Sequence, residues 1–163
     1  MKKENKSRTA ELCVAAVIAA LYVVLTLISS AFGLSSGAIQ LRLSEALCVL
    51  PCFTAAAIPG LTVGCFISNL ITSGNILDIV FGTLATLVGA LGAYGLRSRP
   101  YLASLPAVAA NALIIPPVIV YGFGMTDMAL PIVVLTVAVG ELLSASLLGT
   151  GLLLTLKKYK FKL

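Results

Sequence analysis

Leu-Cys-Val-Ala-Ala-Val-Ile-Ala-Ala-Leu-Tyr-Val-Val-Leu-Thr-Leu-Ile, residues 12–28, runs for 17 positions without a charged side chain. A hydrocarbon core about 30 Å thick takes about 20 residues of helix, within a range of roughly 17–25. With its flanks, this run predicts a membrane span near Ala10–Phe32. It is also longer than the roughly 7–15-residue core of a secretory signal. The segment is therefore expected to remain as a helix, although small residues follow at Ser29, Ser30 and Ala31.

The rest of the chain has the same character. Hydrophobic residues make up 60% and charged residues 10%, where a soluble domain carries roughly 25% charged. Ten of the 17 charges lie in the first 11 and last seven positions, and the seven left between Leu12 and Leu156 could not cover a water-facing surface. Composition shifts only at the two basic tails, 1–9 and 157–163, so residues 1–163 read as one integral membrane domain. The fold class is all-α, a polytopic bundle in the cell membrane.

Gly, Pro and charge punctuation cuts the chain into six segments: Ala10–Phe32, Leu41–Ile58, Gly60–Ser73, Leu77–Leu96, Tyr101–Phe123 and Met128–Leu156. The second and third are short and meet at Ile58-Pro59-Gly60, where Pro stops a helix and Gly permits a turn. They either cross separately or form one broken hairpin. Cytoplasmic flanks carry the excess of Lys and Arg. Lys2, Lys3, Lys6 and Arg8 place the N-terminus inside, and Lys157, Lys158, Lys160 and Lys162 place the C-terminus inside. With six spans, Arg97 and Arg99 also fall inside, leaving Arg42 as the one basic residue outside.

No enzymatic site emerges. The absence of histidine excludes a Ser-His pair and a zinc or haem site, no Lys lies within a span to activate a serine, and there is no phosphate-binding loop. Gly89–Gly95 is glycine-rich, but it lies inside a span and no Lys follows. Asp78 and Asp127, at helix ends, read as solvated surface charges. Cys13, Cys48, Cys52 and Cys65 sit in apolar runs and read as small buried hydrophobes; the Cys48 and Cys52 spacing does not suit a disulfide within a helix. No catalytic residue, metal, cofactor or nucleic-acid partner is expected.

Small residues repeat at helical spacing, as Ala15, Ala16, Ala19 and Ala20 in the first span and as Gly82, Ala85, Gly89, Gly92 and Ala93 in the fourth. Such faces let helices approach closely in lipid. They serve either packing within the bundle or docking of another membrane subunit. Pro116-Pro117 removes two amide donors from the fifth span and is expected to kink or open it.

Polar residues inside the spans carry the functional reading. An acid such as Glu141 near a helix centre costs about 2.5–3.5 kcal/mol on insertion scales, so it faces the interior and has a partner or a purpose. Glu45, Asp78, Asp127 and Glu141 set four carboxylates against Arg42 toward the outer half, a field that favours a neutral or cationic solute. Asn111 falls at similar depth to Glu141, and Asn69 lies near the outer end of the third span. Together with Tyr121 and an Arg42–Glu45 pair, these residues line one outward-facing polar pocket or, alternatively, join helices by hydrogen bonds.

The strings Ile39–Pro51, with Arg-Leu-Ser-Glu-Ala at its centre, Ile58–Asn69, Asp78–Leu87 and Gly140-Glu141-Leu142 resemble the QueT family over most of Ala15–Gly149. The resemblance implies a substrate-binding S component of an energy-coupling factor transporter. Such a protein captures a queuosine precursor, 7-aminomethyl-7-deazaguanine or queuine, at its outer face. It works with a membrane T component and two ATPase subunits that hydrolyse ATP. It also implies docking through an Ala-x-x-x-Ala face of the first helix, either Ala15 with Ala19 or Ala16 with Ala20. A deazaguanine offers N–H groups that a carboxylate accepts and, in the aminomethyl form, a cation. Glu45 and Glu141 are the expected binding acids, with Asp78 as a third and Arg42 holding Glu45. Asn111 or Asn69 would meet the ring carbonyl, and Phe66, Phe81, Tyr121 or Phe123 would stack on the base. The runner-up is a component or facilitator for another vitamin or metabolite.

Overall fold

A computed structural model describes residues 8–34, 41–122, 124 and 129–159. All regular structure among them is helical. Four helices are long and apolar enough to cross a membrane: α1 (Arg8–Ala31), α3 (Ile76–Gly95), α4 (Pro100–Gly122) and α5 (Leu130–Lys158). Between α1 and α3 lie a 3-10 helix, Leu43–Cys52, and a shorter helix α2, Ala57–Thr72. Lys2, Lys3, Lys6, Ile39, Gln40, Phe123, Asp127, Met128, Lys160 and Lys162 lie outside the described residues.

The 3-10 helix is the centre of the bundle. It packs on α1, α2, α3 and residues 142–158 of α5, and buries seven side chains, from Ser44 and Glu45 to Pro51. At one end, Arg42 reaches Asp78 in the first turn of α3, while at the other the Cys52 thiol donates to the Ala93 carbonyl at 3.4 Å. Those contacts are 15 α-helical residues apart on α3, about 22 Å at 1.5 Å per residue. The 3-10 rise of about 2.0 Å per residue lets ten residues cover nearly that depth. Such backbone is tolerated within a membrane only where protein surrounds it.

The break between the second and third predicted segments differs from expectation. Helix α2 starts at Ala57, so Pro59 and Gly60 lie in its first turn and the chain turns at 53–56 instead. Pro is tolerated there because its missing N–H has no intrahelical role in a first turn. Gly60 serves close approach: a Cβ on it would lie 2.7 Å from the Ala15 carbonyl oxygen, and one on Gly64 would lie 2.8 Å from Tyr22 Cβ. These glycines fit against the Ala15–Ala19 ridge of α1, a small-residue crossing within the bundle. Ala19 is consequently buried and Ala15 half-buried, whereas Ala16 and Ala20 are exposed.

Small residues on α3 are used in the same way. Gly89 faces Ala107, Gly92 faces Pro106, and Ala85, Ala90 and Ala93 are fully buried. The outer surface of the bundle is apolar, with Leu21, Val24, Val88, Leu91, Leu113 and Leu135 exposed. Polar side chains are concentrated inside, as expected where the solvent is lipid. Cys13, Cys48, Cys52 and Cys65 are free thiols; Cys13 is exposed, Cys52 half-buried and the other two buried.

Candidate functional site

Three elements end or begin at one end of the bundle and bring their polar residues together. Arg42 precedes the 3-10 helix, Asn69 occupies the last turn of α2, and Asp78 opens α3. The first turn of α3 is set by Asn75, whose Oδ1 accepts from the Leu77 N–H at 2.9 Å while its Nδ2 donates to the Gly122 carbonyl at 2.8 Å. The Arg42 guanidinium pairs with Asp78 at 3.9 Å and donates to Asn69 Oδ1 at 3.4 Å. Asn69 Nδ2 in turn donates to the Asp78 carbonyl at 3.3 Å and to Cys65 Sγ at 3.4 Å. Gly82 makes room for that amide, since a Cβ there would lie 2.6 Å from Nδ2. Asp78 is thus buried at 4% exposure, not a solvated surface charge.

Glu45 belongs to a second cluster. Its Oε1 accepts from the Tyr22 hydroxyl and its Oε2 from the Cys48 thiol at 2.9 Å, so both carboxylate oxygens are occupied. Arg42 therefore pairs with Asp78, not with Glu45 as the three-residue spacing suggested; the spacing rule holds for an α-helix, and Arg42 lies outside the 3-10 helix in extended backbone. Hydroxyls stitch the same region. Thr26 donates to Ser44 at 2.8 Å, Ser29 accepts from the Leu43 N–H at 2.9 Å, and Ser144 on α5 accepts from the Arg42 N–H at 3.1 Å.

Glu141 and Asn111 stand apart from these clusters. Glu141 lies 7% exposed on α5, immediately before a π-helical stretch, Leu142–Leu148; Asn111 lies 5% exposed on α4. Helix α4 also leaves α geometry, at Val118–Gly122, directly after Pro116-Pro117 removes two amide donors. Wide turns of this kind are frequent at functional sites. Arg42, Asn111, Ile115, Val137 and Glu141 line a cavity of about 10 Å³, room for about one water molecule. Asn111 Nδ2 and Glu141 Oε2 are the two buried side-chain polar atoms among the described residues that have no hydrogen-bond partner. Leaving such groups unpaired costs about 1–3 kcal/mol each, more for a charge. A donor and an acceptor held unpaired in one cavity are complementary to a ligand that offers an acceptor and a donor.

Of the residues singled out in the sequence, Arg42, Asn111 and Glu141 share this cavity, and Asn69 and Asp78 hold Arg42 beside it. Glu45 is committed to Tyr22 and Cys48. Tyr121 is 77% exposed, and Phe66 and Phe81 are also exposed, so none of the three lines the cavity; its apolar wall is Ile115 and Val137. Tyr22, Thr26, Ser29 and Ser144 escaped the sequence reading. The first three fall at i, i+4 and i+7 of an otherwise apolar helix, a polar stripe that marks an interior face. No metal-ligating group of three or more His, Cys, Asp or Glu occurs among the described residues.

A family profile described as QueT transporter matches residues 12–158. The queuosine precursor transporter QueT of Lactococcus lactis subsp. cremoris (strain MG1363) is 41% identical over 84 residues. Those residues are 52% of this chain and 49% of that protein, so the chain spans about half the length of the curated relative it matches. No solved structure matches the chain.

Proposed function

We infer the function from one premise: the chain belongs to the QueT transporter family. It is the substrate-binding S component of an energy-coupling factor importer, a single membrane domain over 1–163 that captures a queuosine precursor from outside the cell. A membrane T component and two ATPase subunits complete the transporter and supply the energy of uptake. The observation that carries this reading is the unpartnered Asn111–Glu141 pair in a cavity bordered by Arg42. A deazaguanine ring presents a carbonyl acceptor flanked by N–H donors, which matches an amide donor beside a carboxylate acceptor. The name of the relative points to the same class of solute.

Six crossings with both termini cytoplasmic fit the geometry best. The 3-10 helix runs the depth of α3 from Asp78 to Ala93, and α2 returns to Asn69 beside Asp78. Lys157 stacks on Tyr101 at 4.2 Å and Arg97 on Tyr94 at 4.6 Å, gathering basic side chains at the end remote from Asp78. The site then opens outward. A water-sized cavity is too small for a fused ring system, so it has to widen for the solute to enter. The T component docks on the exposed register of α1, Ala16 with Ala20, since Ala15 and Ala19 are engaged by Gly60 and Gly64.

The test is ligand binding to the purified protein in detergent. It titrates 7-aminomethyl-7-deazaguanine and queuine, with guanine and riboflavin as controls. Saturable binding of a deazaguanine but not of riboflavin is the expected result. Binding of riboflavin alone, or of none of the four, overturns the ligand class.

A further inference from the structure

The end of the bundle remote from Asp78 carries charge of one sign. Arg97 and Arg99 lie in the turn between α3 and α4, Lys157 and Lys158 close α5, and all four are exposed. Arg97 stacks on Tyr94 at 4.6 Å. Lys157 stacks on Tyr101 at 4.2 Å, which joins the last turn of α5 to the first turn of α4. No carboxylate pairs with any of the four among the described residues, whose one ion pair is Arg42 with Asp78. Glu11, the described acid toward this end, stands on α1 and makes no ion pair. Toward the middle of the bundle the surface turns apolar: exposed Leu91 lies one turn before Tyr94, and exposed Leu154 one turn before Lys157 and Lys158.

We propose that the phosphate headgroup of an anionic phospholipid seats on the Lys157–Tyr101 pair, with Arg97 and Arg99 on the adjoining turn and the acyl chains along the apolar surface of Leu91 and Leu154. An aromatic face fixes an ammonium without neutralising it, because the ring quadrupole attracts the cation but carries no net charge. A cation held in place and left unneutralised is complementary to a phosphate. Tyr belongs to the membrane–water interface, with its ring in the apolar boundary and its hydroxyl toward water. Tyr94 and Tyr101 therefore hold the two cations at headgroup depth. Basic clusters beside a membrane attract anionic lipid in general; here one ammonium is also fixed by a ring from a different helix, which makes a seat out of a field. A free phosphate would meet the same charges and leave the leucines unused, whereas a lipid meets both. An acidic protein surface would have to enter the headgroup layer to reach them.

The chain contains no Trp, so Tyr101→Trp places a single fluorophore at the seat and keeps an aromatic face under Lys157. This protein is reconstituted in phosphatidylcholine with rising mole fractions of chain-brominated phosphatidylglycerol or chain-brominated phosphatidylcholine, and quenching gives their relative affinity. The expected result is a preference for phosphatidylglycerol of at least about threefold. Lys157→Gln should abolish it, and Arg8→Gln, which removes an equal charge on α1, should retain it. Equal quenching by the two lipids overturns the seat and leaves the patch to an acidic partner protein. Equal loss of preference in Lys157→Gln and Arg8→Gln also overturns it, by making the preference a property of overall charge. Loss of the preference on adding inorganic phosphate at constant ionic strength overturns the lipid in favour of the free anion. Should Tyr101→Trp fail to elute as a single species, Tyr94→Trp makes the same measurement at the neighbouring cation–aromatic pair.

Discussion

Glu45 and Glu141 are both almost wholly buried acids, yet their surroundings differ in kind. Around Glu45, a tyrosine hydroxyl and a thiol close the hydrogen bonding, as Asn69 and Asp78 do around Arg42. Around Glu141, an oxygen and the neighbouring Asn111 amide remain unpaired. Buried polar groups are normally satisfied, so a completed cluster acts as scaffold and an incomplete one marks the place where something else completes it. The two regions meet at Arg42, which lines the cavity from one side and is anchored to α2 and α3 from the other. One half of this polar centre stabilises the bundle, and the other half holds an unpaired donor and acceptor that, in the proposed function, the solute completes.

That contrast yields substitutions with opposite effects on stability and binding. The largest stability loss is expected from Asp78→Ala, which leaves the Arg42 guanidinium without its counter-ion. Breaking one side of a buried pair costs about 3–5 kcal/mol, and a drop in the thermal midpoint in detergent, partly recovered by adding Arg42→Leu, would establish the scaffold role. If Asp78→Ala melted with the parent, Arg42 would have to be assigned to the binding half. Glu45→Ala is expected to cost about 2–3 kcal/mol by leaving the Tyr22 hydroxyl and the Cys48 thiol unpaired, with the same readout.

Glu141→Gln should behave in the reverse sense. Its melting temperature should match or exceed the parent's, because the amide keeps the shape and hydrogen-bonding capacity of the side chain without a charge to bury, while affinity for 7-aminomethyl-7-deazaguanine falls by about tenfold or more. A strongly destabilised Glu141→Gln would place this acid with the scaffold instead. At the docking face, Ala20→Trp should leave ligand binding within about twofold and prevent co-purification of the T component. The smallest effect is expected for Tyr121→Ala: an exposed side chain away from the cavity should change stability by no more than about 0.5 kcal/mol and leave affinity unaltered.

Much of this protein was legible before any coordinates. Apolar runs of spanning length depend on composition along the chain, which the bilayer reads as depth. Glu141 and Asn111 were legible for the same reason, since a polar residue in the middle of an apolar span is conspicuous. Pairing was not legible. Whether Arg42 meets Glu45 or Asp78, whether Ala15 or Ala16 faces the bundle, and whether Tyr121 or Tyr22 turns inward depend on helix rotation and on where a 3-10 helix replaces an α-helix. Sequence alone thus determined an all-helical chain with a polar interior, because hydropathy is a property of each residue. Only the tertiary structure decided which of its buried acids are satisfied and which keeps an unpaired oxygen, because satisfaction is a property of residues brought together from elements 23 to 36 positions apart, as Tyr22 with Glu45 and Arg42 with Asp78.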